Sequence, residues 1–300
     1  TGVGNRAAHA RLRQVSAYVQ DQIAVAPWLD VIAGVRVDRF DLTVDSRTVA
    51  NGFSAERFAR VDNLWSPRVG VVLKPSKTSS IYVSYTRAYL PQSGDQFASL
   101  TASLATLEPE SFKNFELGAK WELRPGLLLT GALYRLDRSS PRAAGSGAGT
   151  VVITGAQRST GFEASLTGRI MPWWQAALGY GYTDATIRAT TAAAPAGRTV
   201  AQVPRHQLSL WNRFDVTPRF GFGVGLYHQS RQFASISNAT RLPAYTRIDA
   251  ALFVKLTDRF SAQLNVENVG NVTYFPNAHN DNNISPGAPR NVRLTVTTKF

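Results

Sequence analysis

The sequence contains no cysteine, which excludes disulfide bonds and thiolate metal sites. No stretch approaches the ~20 apolar residues of a membrane-spanning helix, and no charged-then-apolar start marks a signal peptide. Lysine is also scarce, since only six of the 33 basic residues are lysine. What remains is a 300-residue chain of one large or two ordinary domains. It opens TGVGNRAAHA, as the interior of a longer protein would.

The net charge of +13 has two explanations. A basic surface suits nucleic acid, anionic lipid or anionic small molecules, whereas a GC-rich genome produces arginine without any functional demand. The arginines are spread along the chain rather than clustered in an arm or on one helix face. Nucleic acid is therefore not expected as a partner.

Turn residues recur through the chain at intervals of 40 to 50 residues. The turns contain Pro27, Pro75, Pro125, Pro172, Pro218 and Asp258. Each is a tight turn between two strand-like runs, and longer polar stretches such as 139–149 and 190–199 lie between the turns. Short turns that alternate with long loops are the layout of an outer-membrane barrel.

The strand-like runs alternate apolar and polar residues. In NVRLTVTTKF (291–300), Val292, Leu294 and Val296 share one face, and Arg293 and Thr295 share the other. A soluble sandwich also alternates, but these runs reach about a dozen residues, above the usual five or six. Charged residues also recur on the polar face at every level, as they would if that face lined water. An outward apolar band of ~25 Å around a polar lumen fits better.

Aromatic residues lie beside the short turns. They are Trp28, Trp121, Trp173, Trp174, Phe220, Phe260 and Phe300. Barrels of this kind carry an aromatic girdle at each membrane interface, so the set predicts the periplasmic rim. We expect Phe300, Trp121, Trp173 and Trp174 to anchor the barrel in the membrane and to support its assembly.

These patterns predict an all-β fold, an antiparallel transmembrane β-barrel with thirteen strands. The strands are expected at 11–25, 29–42, 64–75, 79–90, 112–123, 127–139, 151–170, 174–188, 202–216, 220–232, 243–256, 260–274 and 288–300. Bacterial single-chain barrels have even strand numbers, so either strands precede this chain or the count is off by one. Asp21 conflicts with the pattern because it shares an apolar face with Val19 and Ile23. A bulge, or a place near the rim, would remove the conflict.

Several stretches resemble the TonB-dependent outer-membrane receptors for iron–siderophore complexes. SAYVQDQIAV (16–25), PESFKNFELGAKWEL (109–123) and STGFEASLTGRI (159–170) occur in that family's order, and the resemblance spans nearly the whole chain. YLPQSGDQFASL (89–100) and AHNDNNISPGAPRNVRL (278–294) are most similar to the catecholate siderophore subgroup.

The resemblance implies a 22-stranded barrel around an N-terminal plug, with a short segment before the plug that contacts TonB. On that basis, residues 1–300 are the C-terminal part of the barrel, and the plug and nine strands precede Thr1. The implied location is the bacterial outer membrane. The implied partners are a ferric siderophore, the TonB complex, outer-membrane lipid and lipopolysaccharide, and the barrel assembly machinery.

A ferric tris-catecholate is a bulky anion with flat aromatic faces, so guanidinium or amide donors and aromatic rings would bind it. Such residues belong on the outward loops or in the upper lumen. The ligand-binding candidates are Arg87, Tyr89, Gln92, Gln96, Phe97, Arg231, Phe233, Tyr274, His279 and Arg290. The first five, in one loop, form the strongest group, because a single arginine or tyrosine on such a loop is more often solvated.

Patterns for catalysis and metal binding find little support. The four histidines lack metal-ligand spacing, and NAHNDNN (277–283) lacks the glycine and terminal glutamate of a calcium loop. GFGVG (221–225) lies inside a strand-like run with no helix after it, which argues against a phosphate-binding loop. We expect no enzyme, no resident metal and no cofactor, and iron only within the transported complex.

The sequence thus predicts TonB-dependent uptake of ferric siderophores, with catecholates as the expected class. Three alternatives stay open. They are a passive porin-like barrel, a receptor of the same family for heme, vitamin B12 or a sugar, and a barrel enzyme that uses His206 or His228.

Overall fold

The computed structural model describes residues 6–48, 54–91, 108–139, 142–144, 151–153 and 155–299. The strands are β1 (Arg6–Ala26), β2 (Leu29–Thr48), β3 (Ser54–Ser76), β4 (Ser79–Leu90), β5 (Glu110–Arg124), β6 (Leu127–Ser139), β7 (Arg142–Ala144), β8 (Val151–Ile153), β9 (Gln157–Met171), β10 (Trp174–Ile187), β11 (His206–Asp215), β12 (Phe220–Gln229), β13 (Gln232–Phe233), β14 (Arg241–Leu242), β15 (Tyr245–Lys255), β16 (Phe260–Glu267), β17 (Asn277–Asn280), β18 (Asn283–Ser285) and β19 (Asn291–Thr298). None of the described residues belongs to a helix that is long and apolar enough to cross a membrane.

Thirteen of these strands form one antiparallel sheet, as the sequence predicts. Their order is β1-β2-β3-β4-β5-β6-β9-β10-β11-β12-β15-β16-β19, which is also the order in which these thirteen strands follow one another along the chain. The other six strands form three short ladders within connections, β7 with β8, β13 with β14 and β17 with β18. The fold is therefore an all-β meander with long and short connections.

Several strand boundaries differ from those expected. β1, β2 and β3 contain 21, 20 and 23 residues, about twice the ≈ 9–11 that cross a bilayer, so their far ends project beyond it. β16 ends at Glu267 rather than 274 because Asn268 adopts a φ of 53°. The Asn268 side chain accepts from the Val272 amide and donates to the Val272 carbonyl oxygen, both at 2.9 Å, which closes a turn.

The two faces of the sheet differ in polarity, and β19 shows the pattern. Val292, Leu294 and Val296 lie on an exposed apolar face, where Leu294 is 65% exposed. Arg293 and Thr295 lie on the opposite face, across from Asn265 and Gln263 of β16. Because large apolar side chains are exposed on one face and charged side chains line the other, the sheet suits lipid outside and water inside. We call these the outer face and the inner face.

Aromatic residues lie beside the short turns, as the sequence predicts. Trp28, Trp121 and Trp173 are 57%, 52% and 52% exposed there. Trp174 is half-buried, with its ring centroid 5.9 Å from that of Phe214. Phe300 lies outside the described residues. The anchoring role of the aromatic residues stays a prediction.

Asp21 remains on the outer face. It pairs with Ala33 in an uninterrupted register, and the nearest register shift lies between Ala24 and Ala26. Its neighbours on that face, Val19 and Ile23, are 67% and 50% exposed. A bulge at Asp21 therefore does not remove the conflict that the sequence raised.

Three long connections interlock at the end of the sheet opposite the short turns. We call residues 188–205, 230–244 and 268–290 the loop platform. Gln202 joins all three segments. Its backbone amide donates to the Phe233 carbonyl oxygen at 2.9 Å, and its side-chain oxygen accepts from the Ala278 backbone amide at 3.2 Å. Small apolar clusters lie between the segments, and one contains Ala234, Leu242 and Ala278. The platform is therefore packed as well as hydrogen-bonded.

A carboxylate fixes two of the platform segments together. Ser235 and Ser237 donate their hydroxyls to Asp281 Oδ2 at 2.8 and 2.6 Å. Burial raises the pKa of the Asp281 carboxyl, but the hydrogen bonds from Ser237 and Ser235 outweigh it and hold the pKa below the ordinary 3.8. The stabilisation of the fold by the ionised Asp281 carboxylate is thus fully present above pH 3.8 and is lost as the pH falls through the lowered pKa.

Replacement of this carboxylate should loosen the platform. Asp281→Ala removes the carboxylate that accepts from both Ser235 and Ser237, which costs about 1–3 kcal/mol. Backbone amide hydrogen exchange across residues 230–244 should accelerate in this variant. Exchange of the same amides should also accelerate, relative to the rest of the chain, when the unaltered protein is acidified below pH 3.8. The control is Asn282→Ala at the exposed neighbouring position. Equal exchange in the two variants would contradict the role of Asp281.

The assignment of faces can be tested on one strand. Leu294→Arg places a cation on the outer face and should destabilise the barrel by about 2–4 kcal/mol if the site lies near the bilayer midplane. Thr295→Arg, one residue later, points to the inner face and should be tolerated. Denaturant unfolding in lipid vesicles measures both. Equal destabilisation would show that the faces are wrongly assigned.

Candidate functional site

Two candidates from the first predicted loop lie on β4. The Arg87 guanidinium lies 4.8 Å from the ring centroid of Tyr89. Both residues share the outer face with Val83, and Arg87 lies directly across from Lys113 of β5. They therefore do not point into the inner face. The other candidates of this loop, Gln92, Gln96 and Phe97, lie outside the described residues.

The remaining five candidates lie on the loop platform. Arg231, His279 and Arg290 are exposed there. Phe233 is half-buried in β13, and the Arg241 guanidinium lies 5.2 Å from its ring centroid. The structure thus brings together a cation and an aromatic face, the combination that an anionic aromatic ligand requires.

Tyr274, the fifth of these candidates, is buried and already in contact with other residues. It is 6% exposed, and its ring centroid lies 4.6 Å from that of Tyr245. Its hydroxyl accepts from Arg247 Nη1 at 3.1 Å. A Cβ at Gly287 would lie 2.1 Å from its ring, so only glycine fits there. Tyr274 supports the platform from below.

Below Tyr274, the inner face carries a cluster of polar aromatic residues. The rings of Tyr227 and Tyr245 lie 5.8 Å apart, and the Tyr227 hydroxyl donates to Gln229 Oε1 at 3.1 Å. Arg247 pairs with Asp249 at 2.8 Å, while its buried Nε atom has no hydrogen-bond partner. Sequence reasoning missed this cluster. The alternation within β12 and β15 could have found it, because these residues occupy every second position.

A polar cavity of about 750 Å³ extends along the inner face from β4 to β12. Its lining includes both charge signs and several hydroxyls, among them Glu116, Lys120, Glu163, Ser209 and Tyr227. The Tyr82 hydroxyl donates to Glu116 at 2.5 Å. Such a lining suits a hydrated, polar occupant rather than an apolar one.

The features considered for catalysis have structural explanations. His206 Nδ1 lies 2.7 Å from the Tyr180 hydroxyl, and His228 Nδ1 lies 2.8 Å from Thr246 Oγ1. Within the part of the chain that the structure describes, these ring nitrogens therefore bond a tyrosine and a threonine rather than a serine. In GFGVG, a Cβ at Gly223 or Gly225 would lie within 2.6 Å of the Trp211 ring, which covers both glycines. Among the described residues, no group of three or more His, Asp or Glu side chains could hold a metal ion.

Comparison with known proteins identifies the family. Residues 1–269 match the model of the family described as TonB dependent receptor-like, beta-barrel. The chain is 29% identical over 302 residues to a probable TonB-dependent receptor, BfrD, of Bordetella pertussis, covering 95% of this chain and 40% of that protein. The chain spans about two fifths of the length of the curated relatives it matches.

Solved structures agree with the fold. The closed form of the ferric-catecholate import receptor Fiu from Escherichia coli K12 matches 98% of this chain and 45% of its own, with a TM-score of 0.84 and 25% identity. The siderophore receptor PiuA from Acinetobacter baumannii matches 97% of this chain and 44% of its own, with a TM-score of 0.87 and 24% identity. The chain therefore belongs to the TonB-dependent receptor β-barrel family, whose members are bacterial outer-membrane transporters and not enzymes.

Proposed function

We propose that the protein containing this chain takes up a ferric siderophore of the catecholate class across the outer membrane, with energy supplied through TonB. The similarity to the Fiu receptor over 98% of the chain supports the cargo class. The loop platform supports it independently, because its exposed guanidinium groups and the half-buried Phe233 ring match a bulky aromatic anion. Iron is cargo in this proposal, and no resident cofactor is needed.

The platform is the proposed first contact for the ligand. Arg231 is exposed next to β13, and Arg241 lies over Phe233 from the paired strand β14. Guanidinium groups can bind the catecholate oxygens while the ring contacts a catechol face. We propose His279 and Arg290 as further contacts, and Tyr274 as the residue that positions the platform.

The first loop contributes differently in this proposal. Gln92, Gln96 and Phe97 remain proposed ligand contacts. The outer-face register of Arg87 and Tyr89 favours contact with lipid headgroups instead. The inner cavity would then accept the ligand after capture, since its hydroxyls and charges replace water around a polar complex.

The proposed partners follow from the same function. A ferric siderophore binds from outside, and the TonB complex supplies energy. Outer-membrane lipid and lipopolysaccharide surround the outer face, and the barrel assembly machinery inserts the strands. Nucleic acid is not among the proposed partners.

Uptake by the complete receptor tests the proposal directly. A strain that lacks its own catecholate receptors and carries the complete receptor should accumulate radioactive iron from a ferric tris-catecholate. Accumulation should stop when tonB is deleted or the proton-motive force is dissipated. Flux that survives both treatments would support the porin-like alternative. Uptake of heme, vitamin B12 or a sugar, with no uptake of the catecholate, would show that the receptor transports a different cargo from the one proposed.

The ligand contacts can be tested by binding to the purified complete receptor. Arg231→Gln with Arg241→Gln removes two guanidinium groups from the platform. Each charged hydrogen bond is worth about 1.5–3 kcal/mol, so affinity for a ferric tris-catecholate should fall at least tenfold, as measured by quenching of tryptophan fluorescence. The control is Arg219→Gln with Arg259→Gln, an equal charge change in the exposed short turns. Similar affinities for the two double variants would exclude this contact.

A further inference from the structure

A row of charged residues crosses the outer face of four neighbouring strands. Arg87 of β4 lies across from Lys113 of β5, Lys113 lies across from Asp137 of β6, and Asp137 lies across from Arg158 of β9. Arg135 lies two residues from Asp137 on the same face. Four cations thus accompany one carboxylate, and Asp137 is the only outer-face carboxylate within the described parts of these strands.

The cations are not neutralised by this carboxylate. Asp137 is shared between Arg135 at 2.9 Å and Arg158 at 2.6 Å. Arg87 and Lys113 face each other directly, an arrangement that destabilises a sheet unless an anion lies between the two charges. The Arg87 Nε atom is also buried without a hydrogen-bond partner. The row therefore has unused capacity to bind an anion.

The surface below this row is apolar. In the next rows, Tyr85 and Phe115 have ring centroids 4.7 Å apart, and Val83, Leu117 and Leu133 are 56%, 46% and 58% exposed. An apolar groove of about 460 Å³ lies on this face between Leu117, Leu133 and Phe162. The outer face thus changes from apolar to aromatic to basic over a few residues, as at a membrane interface.

On the same outer face, the strands β11, β12 and β15 lack this arrangement. The outer-face positions at the upper ends of β11, β12 and β15 are His206, His228 and Thr246, which pair with one another or with tyrosine. None of these three residues is a lysine or arginine. The row is therefore not repeated at β11, β12 and β15, although the upper outer face of β1 and β2 also carries arginines, Arg11, Arg13 and Arg39, with Asp41 across from Arg13.

We propose that the outer face of β4, β5, β6 and β9 binds lipopolysaccharide. The phosphates of its lipid A portion contact Arg87, Lys113, Arg135 and Arg158, and its acyl chains lie along the apolar groove. Phosphate groups suit the row because guanidinium binds them in a bidentate manner and each cation near an anionic lipid surface adds affinity. The inference gives a location to one partner of the proposed function and does not depend on which cargo is transported.

Lipid binding to the complete receptor in detergent tests the site. The probes are lipopolysaccharide, the same lipopolysaccharide after enzymatic removal of its phosphates, and phosphatidylglycerol, and native mass spectrometry measures the bound fraction of each. Arg87→Gln with Lys113→Gln should weaken lipopolysaccharide binding about 30-fold. Arg219→Gln with Arg259→Gln, which removes two charges at the other rim, should leave it unchanged.

Each arm can overturn the proposal. Equal binding of lipopolysaccharide by the two double variants would remove the basic row from the site. Equal binding of the dephosphorylated form by the unaltered receptor would exclude phosphate recognition, even if a variant failed to assemble. Phosphatidylglycerol bound as tightly as lipopolysaccharide would replace a specific site by general anionic attraction. None of these outcomes bears on cargo uptake, so failure here is distinct from failure of the proposed function.

Discussion

The structure depends on the need to satisfy every backbone amide and carbonyl group without water in a hydrocarbon layer. In this chain the continuous antiparallel ladder provides those hydrogen bonds for the eleven strands that lie between two others in the large sheet. Once the backbone is committed to the ladder, successive side chains must point to opposite faces. The separation into a lipid-facing surface and a polar interior follows from that geometry.

The two faces then take different roles. The outer face places Val83, Leu117 and Leu133 against lipid, and beyond them it carries the basic row that contains Arg87 and Lys113. The inner face holds the polar cavity and the tyrosine cluster around Arg247. A shift of one residue in register would exchange these surfaces, so the register decides which side chains face the membrane and which line the polar interior.

The backbone of the loop platform lies beyond the ladder, so its amide and carbonyl groups need other hydrogen-bond partners. Side chains replace the missing strand partners: the Gln202 side chain accepts from the Ala278 backbone amide of another segment, and the Asn268 side chain donates to the Ala288 carbonyl oxygen within its own segment. Asp281 and the serines that donate to it join two segments through charge-assisted hydrogen bonds. Exposed groups such as Arg231 are thereby presented from a fixed support, which would reduce the entropy lost when they are ordered in a complex.

The sequence by itself determined the strand number, the alternation of the two faces and the aromatic residues beside the turns, because these depend on local period and turn chemistry. It also indicated the family through motifs spread over the chain. Only the tertiary structure decided that Arg87 points outward, that Asp21 keeps a regular register and that Arg241 lies over Phe233. These facts depend on which residues of different strands lie side by side. That register results from the summed pairing of whole strands, which no single segment encodes.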